Sequence, residues 1–129
     1  MASGASAGVG FDHSYEVTEN LTSNQYYVMK RGANDGQALL ADTAGGVVLG
    51  VLQDSGLDGS SNAEHAAIRN AGESLCKIGG TVSAGDPLQA DTDGMAIVAA
   101  SGDYVFARAE QDGVDGDVIR VTLTMEGTF

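Results

Sequence analysis

The apolar residues of this chain fall in short runs separated by clusters of Gly, Asp and Asn, and the spacing within each run is that of strands. Val118 to Met125 alternates most clearly, with Ile119, Val121, Leu123 and Met125 against Val118, Arg120, Thr122 and Thr124. A period of two marks a strand that buries one face. Asp103 to Glu110 alternates as well, which places Tyr104, Phe106 and Arg108 on a crowded face and Val105, Ala107 and Ala109 on a face of small residues. Val47 to Leu52 is apolar without interruption, which predicts a strand buried on both faces. Gln25 to Lys30 reads as a strand closed by the turn residues Asn34-Asp35-Gly36, and Gln37 to Ala41 as a weaker one.

The densest signals lie between Ala71 and Gly94. Leu75 to Ile78 is a strand-length run ended by Gly79-Gly80, and Thr81-Val82 restarts extended chain up to Ala84-Gly85-Asp86-Pro87. Glycine supplies a positive φ there, while Pro87 fixes its own φ and pushes Asp86 out of the helical region, so the chain turns and leaves extended. Leu88 to Ala90 then meets Asp91-Thr92-Asp93-Gly94, a strong hairpin signal ahead of Met95 to Ala99. Upstream, Ala63 to Asn70 has the composition of a helical turn. Extended chain from His65 to Asn70, followed by a turn at Asn70-Ala71-Gly72, fits the next strand better. The polar stretch from Asp54 to Asn62 reads as an exposed, mobile loop. Eight or nine short strands with Gly-rich turns make an all-β fold, a small barrel or a β-sandwich.

The beginning of the chain differs in kind. Residues 1–10 are almost all Gly, Ala and Ser, a composition that packs no core. Four of the seven aromatic residues, Phe11, Tyr15, Tyr26 and Tyr27, follow closely. This predicts a flexible or extended N-terminal arm over residues 1–24, ahead of a compact β domain over 25–129. Aromatic rings beside an arm are anchors for an interface, because each buries a large area at small entropic cost. For Tyr26 and Tyr27 a place in the first core strand is an equal alternative. The arm over residues 1–19 is expected to touch a neighbouring subunit or a larger assembly.

Composition narrows the function. With 18 acidic and 6 basic residues the formal charge is −12, which opposes binding to nucleic acid or to anionic membranes. The start of the chain has neither the basic region nor the apolar stretch of a signal peptide, and no segment has the length and apolarity of a helical membrane span. Synthesis in a reducing cytoplasm is the expectation. Cys76 is the single cysteine, so no intrachain disulfide forms, and its place in an apolar run makes it a small core residue. Catalysis would need Cys76 or a serine beside His13 or His65, and no flanking motif positions such a pair. The acids at Asp91 and Asp93, and at Glu110, Asp112, Asp115 and Asp117, crowd two turns without the spacing of a calcium loop. Turn chemistry accounts for them, and no cofactor or metal is expected. With 19 Gly, no Trp and a core of small aliphatic residues, the chain is expected to gain stability from identical subunits or partners.

Several segments, taken in order, resemble a known family. They are Leu49-Gly50-Val51-Leu52-Gln53, Ala71-Gly72-Glu73, Ile78-Gly79-Gly80 and Val82-Ser83-Ala84-Gly85-Asp86-Pro87-Leu88. Ala90-Asp91 with Gly94, Ala107-Arg108-Ala109-Glu110 and Gly116-Asp117-Val118-Ile119-Arg120-Val121 complete the series. Together they resemble the small all-β proteins that decorate, or cement, the heads of tailed bacteriophages. The resemblance implies a structural virion protein on the outer surface of the capsid, partnered by the major capsid protein and by itself as a homotrimer on local three-fold axes. It implies no enzymatic activity. The interface residues expected are Phe11, Tyr15, Tyr26, Tyr27, Tyr104 and Phe106, with either the Tyr104/Phe106 face or the edge from Val47 to Leu52 buried in the trimer. The competing reading is a β-sandwich binding module of a tail fibre or a carbohydrate-recognition protein, which would hold its ligand in the polar loops.

Overall fold

The computed structural model describes residues 9–129, and the described chain is all-β. Its strands are β1 (Gly10–Val17), β2 (Asn20–Leu21), β3 (Val28–Arg31), β4 (Ala38–Leu40), β5 (Gly50–Leu52), β6 (Leu57–Asp58), β7 (Glu64–Lys77), β8 (Pro87–Ala90), β9 (Ala96–Val98), β10 (Tyr104–Ala109) and β11 (Val118–Thr128). Nine of them form one antiparallel sheet in the order β4-β3-β5-β7-β11-β10-β8-β9, with β1 also paired to β7, while β2 and β6 pair separately. The sheet curls into a half-barrel. Its far strands are tied back by parallel bridges, Glu16 to Gln37 and Ile78 to Ala96.

β7, with 14 residues, is the strand the others share. Its first half pairs with β1 and with β5, and its second half pairs with β11 from Lys77 opposite Val118 to Gly72 opposite Leu123. Two hydrophobic cores follow from this division. Ala66 and Ile68 enter one with Val17, Leu21, Met29, Leu49 and Leu52, while Cys76 enters the other with Ile78, Leu88, Phe106, Ile119 and Val121. β3 and β5 stand between them. Val28 and Val51 face the core of Phe106, and Met29 and Leu52 face the core of Ile68. The uninterrupted apolar character expected of this segment is thus that of a strand with a core on either side. The run is shorter than expected: the strand begins at Gly50, and Val47 is 72% exposed.

Gly72 lets β7 pass from one core to the other. Its φ is +87°, and a Cβ there would lie 2.5 Å from the Val9 carbonyl oxygen. The expected turn at Asn70-Ala71-Gly72 is therefore a bend within a continuous strand, with a register shift opposite Phe11 and Asp12. Gly50 serves close approach in the same way, since a Cβ there would lie 2.3 Å from the Arg69 carbonyl oxygen.

Three further expectations are corrected. The arm over residues 1–24 falls partly outside the described residues, and the part that is described is built into the fold. β1 pairs with β7 from Gly10 to Val17, and Val17 and Leu21 are buried. Apolar side chains on that segment find a core within their own chain. The stretch from Asp54 to Asn62 is likewise not a free loop: β6 pairs with β2, Gly59 N–H donates to the Glu19 carbonyl at 2.9 Å, and Ala67 N–H donates to the Asp54 carboxylate at 2.7 Å. In β10 the alternation breaks, because a register shift against β11 between Val105 and Ala107 turns Phe106 inward to 0% exposure.

Two outcomes test this arrangement. Gly72→Ala should lower unfolding free energy by about 2 kcal/mol or more, from a left-handed backbone plus a backbone clash. Gly102→Ala, at φ +92° but with open space around it, should cost only about 1 kcal/mol; equal losses in denaturant titrations would contradict the close approach at Gly72. Deleting residues 1–19 should abolish cooperative unfolding, since it removes β1 and the buried Val17; a retained sharp transition by circular dichroism would show that β1 is dispensable.

Candidate functional site

The surface carries two grooves, and each is built around a residue in a strained conformation. Tyr26 (φ +69°) and Met125 (φ +43°) are the two non-glycine residues with positive φ among those described. Such a conformation costs about 1–2 kcal/mol in an L-residue and persists only where the surroundings enforce it. It concentrates at recognition sites.

The first groove, of about 390 Å³, is lined among others by Tyr26, Tyr27, Ser55, Leu75, Lys77 and Val118. Tyr26 N–H donates to the Leu52 carbonyl at 2.8 Å, and the Tyr26 carbonyl accepts from Lys77 N–H at 2.9 Å. These bonds hold the tyrosine turn against both β5 and β7. The floor comes from register: Lys77 lies opposite Val118 and Leu75 opposite Arg120, and cross-strand pairs share a face. The groove therefore has an apolar floor, aromatic walls and a cationic end.

The second groove, of about 290 Å³, gathers His13, Tyr15, Arg31, Asn70, Tyr104 and Met125, together with Val48 and Leu49. Asn70 Nδ2 donates to the Leu49 carbonyl at 2.8 Å, and its Oδ1 meets His13 Nδ1. Tyr104 Oη donates to the Met125 sulfur at 3.8 Å. Met125 stands where β11 bulges: Ala107 pairs with Leu123 and Val105 with Gly127, so Thr124, Met125 and Glu126 face the single residue Phe106. Arg108 clamps this bulge through a bidentate pair to Glu126, at 2.8 and 2.9 Å, and Thr124 Oγ1 adds a bond to the same carboxylate at 2.8 Å. Hydrogen bonds from Arg108 and then Thr124 hold the Glu126 carboxyl down to about 2.

Of the six residues expected at an interface, four line these grooves, Tyr26 with Tyr27 in the first and Tyr15 with Tyr104 in the second. Phe11 is 68% exposed on β1 and lines neither groove. Phe106 belongs to the core of its own chain, so Tyr104 and Phe106 form no common outward face. β5 is interior to the sheet, between β3 and β7, and offers no edge for a trimer to bury. Sequence reasoning passed over Leu75, Lys77, Val118 and Arg31, whose grouping depends on strand register rather than on local pattern.

Several of the titratable residues weighed for chemistry have structural partners. The Asp91 carboxylate accepts from Asp93 N–H at 2.8 Å and Met95 N–H at 2.9 Å, and Asp112 accepts from Ala84 N–H at 2.8 Å. These acids close turns. Among the described residues no three His, Cys, Asp or Glu side chains converge to hold a metal ion. Burial pushes the Cys76 thiol up to about 12, with a smaller contribution from the Asp91 charge, which leaves it protonated at neutral pH.

The contribution of the clamp is set by sign and by exposure. Because the folded carboxyl of Glu126 lies below its ordinary value of 4.5, its stabilisation is complete above about pH 4.5 and is lost as pH falls through about 2. Both partners are more than a third exposed, so the gain is under about 1 kcal/mol. Glu126→Gln should thus lower stability by up to about that amount at pH 7, with the difference from the native chain closing in denaturant titrations carried down to about pH 2. A gap that does not change over that range would show that the pair is not the source.

Comparison with known proteins bears on the whole chain. No family model matches it, and no curated protein matches it by sequence. A solved structure does: the crystal structure of the head fiber gp8.5 N base in bacteriophage phi29 is similar with a TM-score of 0.71 at 13% identity, over 94% of this chain and 98% of that one. The two share the fold.

Proposed function

We propose that this chain is a structural virion protein of a tailed phage that stands on the outer surface of the head, binds the major capsid protein and cements neighbouring shell subunits. In this reading it is made in the host cytoplasm, assembles as a homotrimer, and performs no catalysis. The observation that carries the reading is the near end-to-end fold likeness to a phage head fiber base. The likeness spans both chains almost completely, so it concerns the architecture as a whole and not one common hairpin motif. The ordered segments from Leu49 to Val121 that resemble head decoration proteins point to the same class independently.

The physical character of the surface agrees with such a role. A charge of −12 keeps an abundant protein dispersed and away from nucleic acid until it meets a specific docking site. The far strands of the curled sheet are tied back by the two bridges, which limits edge-to-edge association during accumulation.

The test is addition of the purified chain to heads of the cognate phage assembled without it, followed by sedimentation. Saturable co-sedimentation at a fixed ratio to the major capsid protein is expected, together with heads that rupture at higher temperature. Absence of saturable binding would overturn the proposal, and so would binding confined to the tail. Saturable binding that leaves rupture temperature unchanged would retain the head location and remove cementing.

A further inference from the structure

We infer that the second groove binds one sugar residue that carries a carboxylate, a uronic or sialic acid unit of an acidic polysaccharide. This recognition is a function separate from docking on the head, and neither depends on the other.

Charge selects an anion. None of the residues that line the groove is an Asp or a Glu, although the chain carries 18 acidic residues against 6 basic ones. Arg31 does line it. Lys30, Arg69 and Arg108 each pair with an acid of their own chain, whereas the Arg31 guanidinium has no ion pair and no hydrogen bond among the described residues. The acids that adjoin lining residues in sequence are engaged elsewhere. Asp12 holds Arg69, Glu126 holds Arg108, Glu16 accepts from Gln37 Nε2 at 2.9 Å, and Asp103 packs against Gly45. A free guanidinium presents a planar fork of donors that fits a carboxylate with two parallel bonds.

The hydrogen-bonding groups ask for more than a carboxylate. The Leu49 carbonyl can only accept, so the Asn70 amide turns its Nδ2 toward it and its Oδ1 toward His13 Nδ1. Oδ1 is also only an acceptor, so the proton of the His13 ring sits on Nδ1. In the neutral ring Nε2 is then a lone-pair acceptor, and it has no partner among the described residues. The half-buried Tyr15 hydroxyl has none either. Tyr104 Oη spends its proton on the Met125 sulfur, which leaves its oxygen free to accept. A ligand that satisfies this lining brings a carboxylate for Arg31 and hydroxyl groups that donate to His13 and Tyr104 while accepting from Tyr15. An aspartate or glutamate side chain of a partner protein would answer Arg31 alone.

The apolar part of the lining completes the match. Val48, Leu49 and Met125 offer aliphatic surface between the two tyrosines, and the C–H face of a sugar ring packs on such surface while its hydroxyl edge bonds the polar groups. At about 290 Å³ the groove lies at the small end of ligand sites, which suits one ring and its substituents.

Titration of the full native chain with sodium D-glucuronate, and separately with N-acetylneuraminate, tests the assignment by two-dimensional amide NMR. Saturable shifts centred on Arg31, Asn70 and Met125, in the millimolar range of Kd, are expected with at least one of the two. D-glucose, which lacks the carboxylate, and glutarate, which lacks the hydroxyls, should each bind at least about tenfold more weakly. Arg31→Gln and Tyr15→Phe, with folding confirmed by circular dichroism, should weaken binding by about tenfold and severalfold, while Lys30→Gln, at a cation outside the groove, should leave it unchanged. Absence of saturable shifts with both sugar acids would overturn the inference, as would shifts centred elsewhere. Glutarate binding as well as the sugar acids would assign the groove to a protein carboxylate instead. Glucose binding equally well, or a folded Arg31→Gln chain that binds as the native one does, would remove the role given to charge and overturn the inference also.

Discussion

The fold depends on one strand serving two cores. β7 gives Ala66 and Ile68 to the first and Cys76 to the second, and it passes between them because Gly72 accepts a left-handed backbone at a point where a Cβ would lie 2.5 Å from the Val9 carbonyl oxygen. Aliphatic side chains of modest size cannot fill one wide interior, and dividing the interior solves that problem. β3 and β5, buried on both faces, become the partition. A strand in that position contributes to two cores for the backbone entropy of one.

What could be read from the sequence follows the same division. The alternation of Val118 to Met125, the hairpin at Asp91 to Gly94 and the double-sided burial of Val51 and Leu52 are local signals, and each appears in the fold as its spacing predicts. The pairing of β1 with β7 is not local. Its clearest marker, the Asp12 to Arg69 ion pair, joins residues 57 apart, and the Gly- and Ser-rich beginning of the chain masks the strand that follows it. The inward turn of Phe106 could not be read either, because a bulge in β11 causes it and no feature of β10 announces it. For the interface, composition singled out the tyrosines, and four of them do line grooves. Lys77 and Val118 join them through register, which only pairing reveals.

Two of the three ion pairs found among the described residues stand where the sheet is irregular. Arg69 binds Asp12 at 2.7 Å beside the register shift between β1 and β7, and Arg108 binds Glu126 across the bulge of β11. Neither pair is deeply buried, and surface ion pairs contribute little to stability in general. Their effect here is geometric. A bulge leaves backbone groups without ladder partners and gives the chain several ways to settle, and a bidentate guanidinium selects one of them.

The irregularities so fixed are also the places where the surface becomes concave. Met125 lines the second groove because β11 bulges, and Asn70 joins it at the bend of β7. Tyr26 lines the first because bonds from β5 and β7 hold its backbone in a left-handed conformation. A regular antiparallel sheet offers recognition mainly along its edges, where pairing is undiscriminating and leads to aggregation. In this chain the far strands are tied back by Glu16 to Gln37 and Ile78 to Ala96, while shape and charge are developed in the two grooves. Side chains there discriminate between partners in a way that backbone edges cannot. Placing recognition in such grooves rather than along edges separates specific docking from the backbone pairing that leads to aggregation.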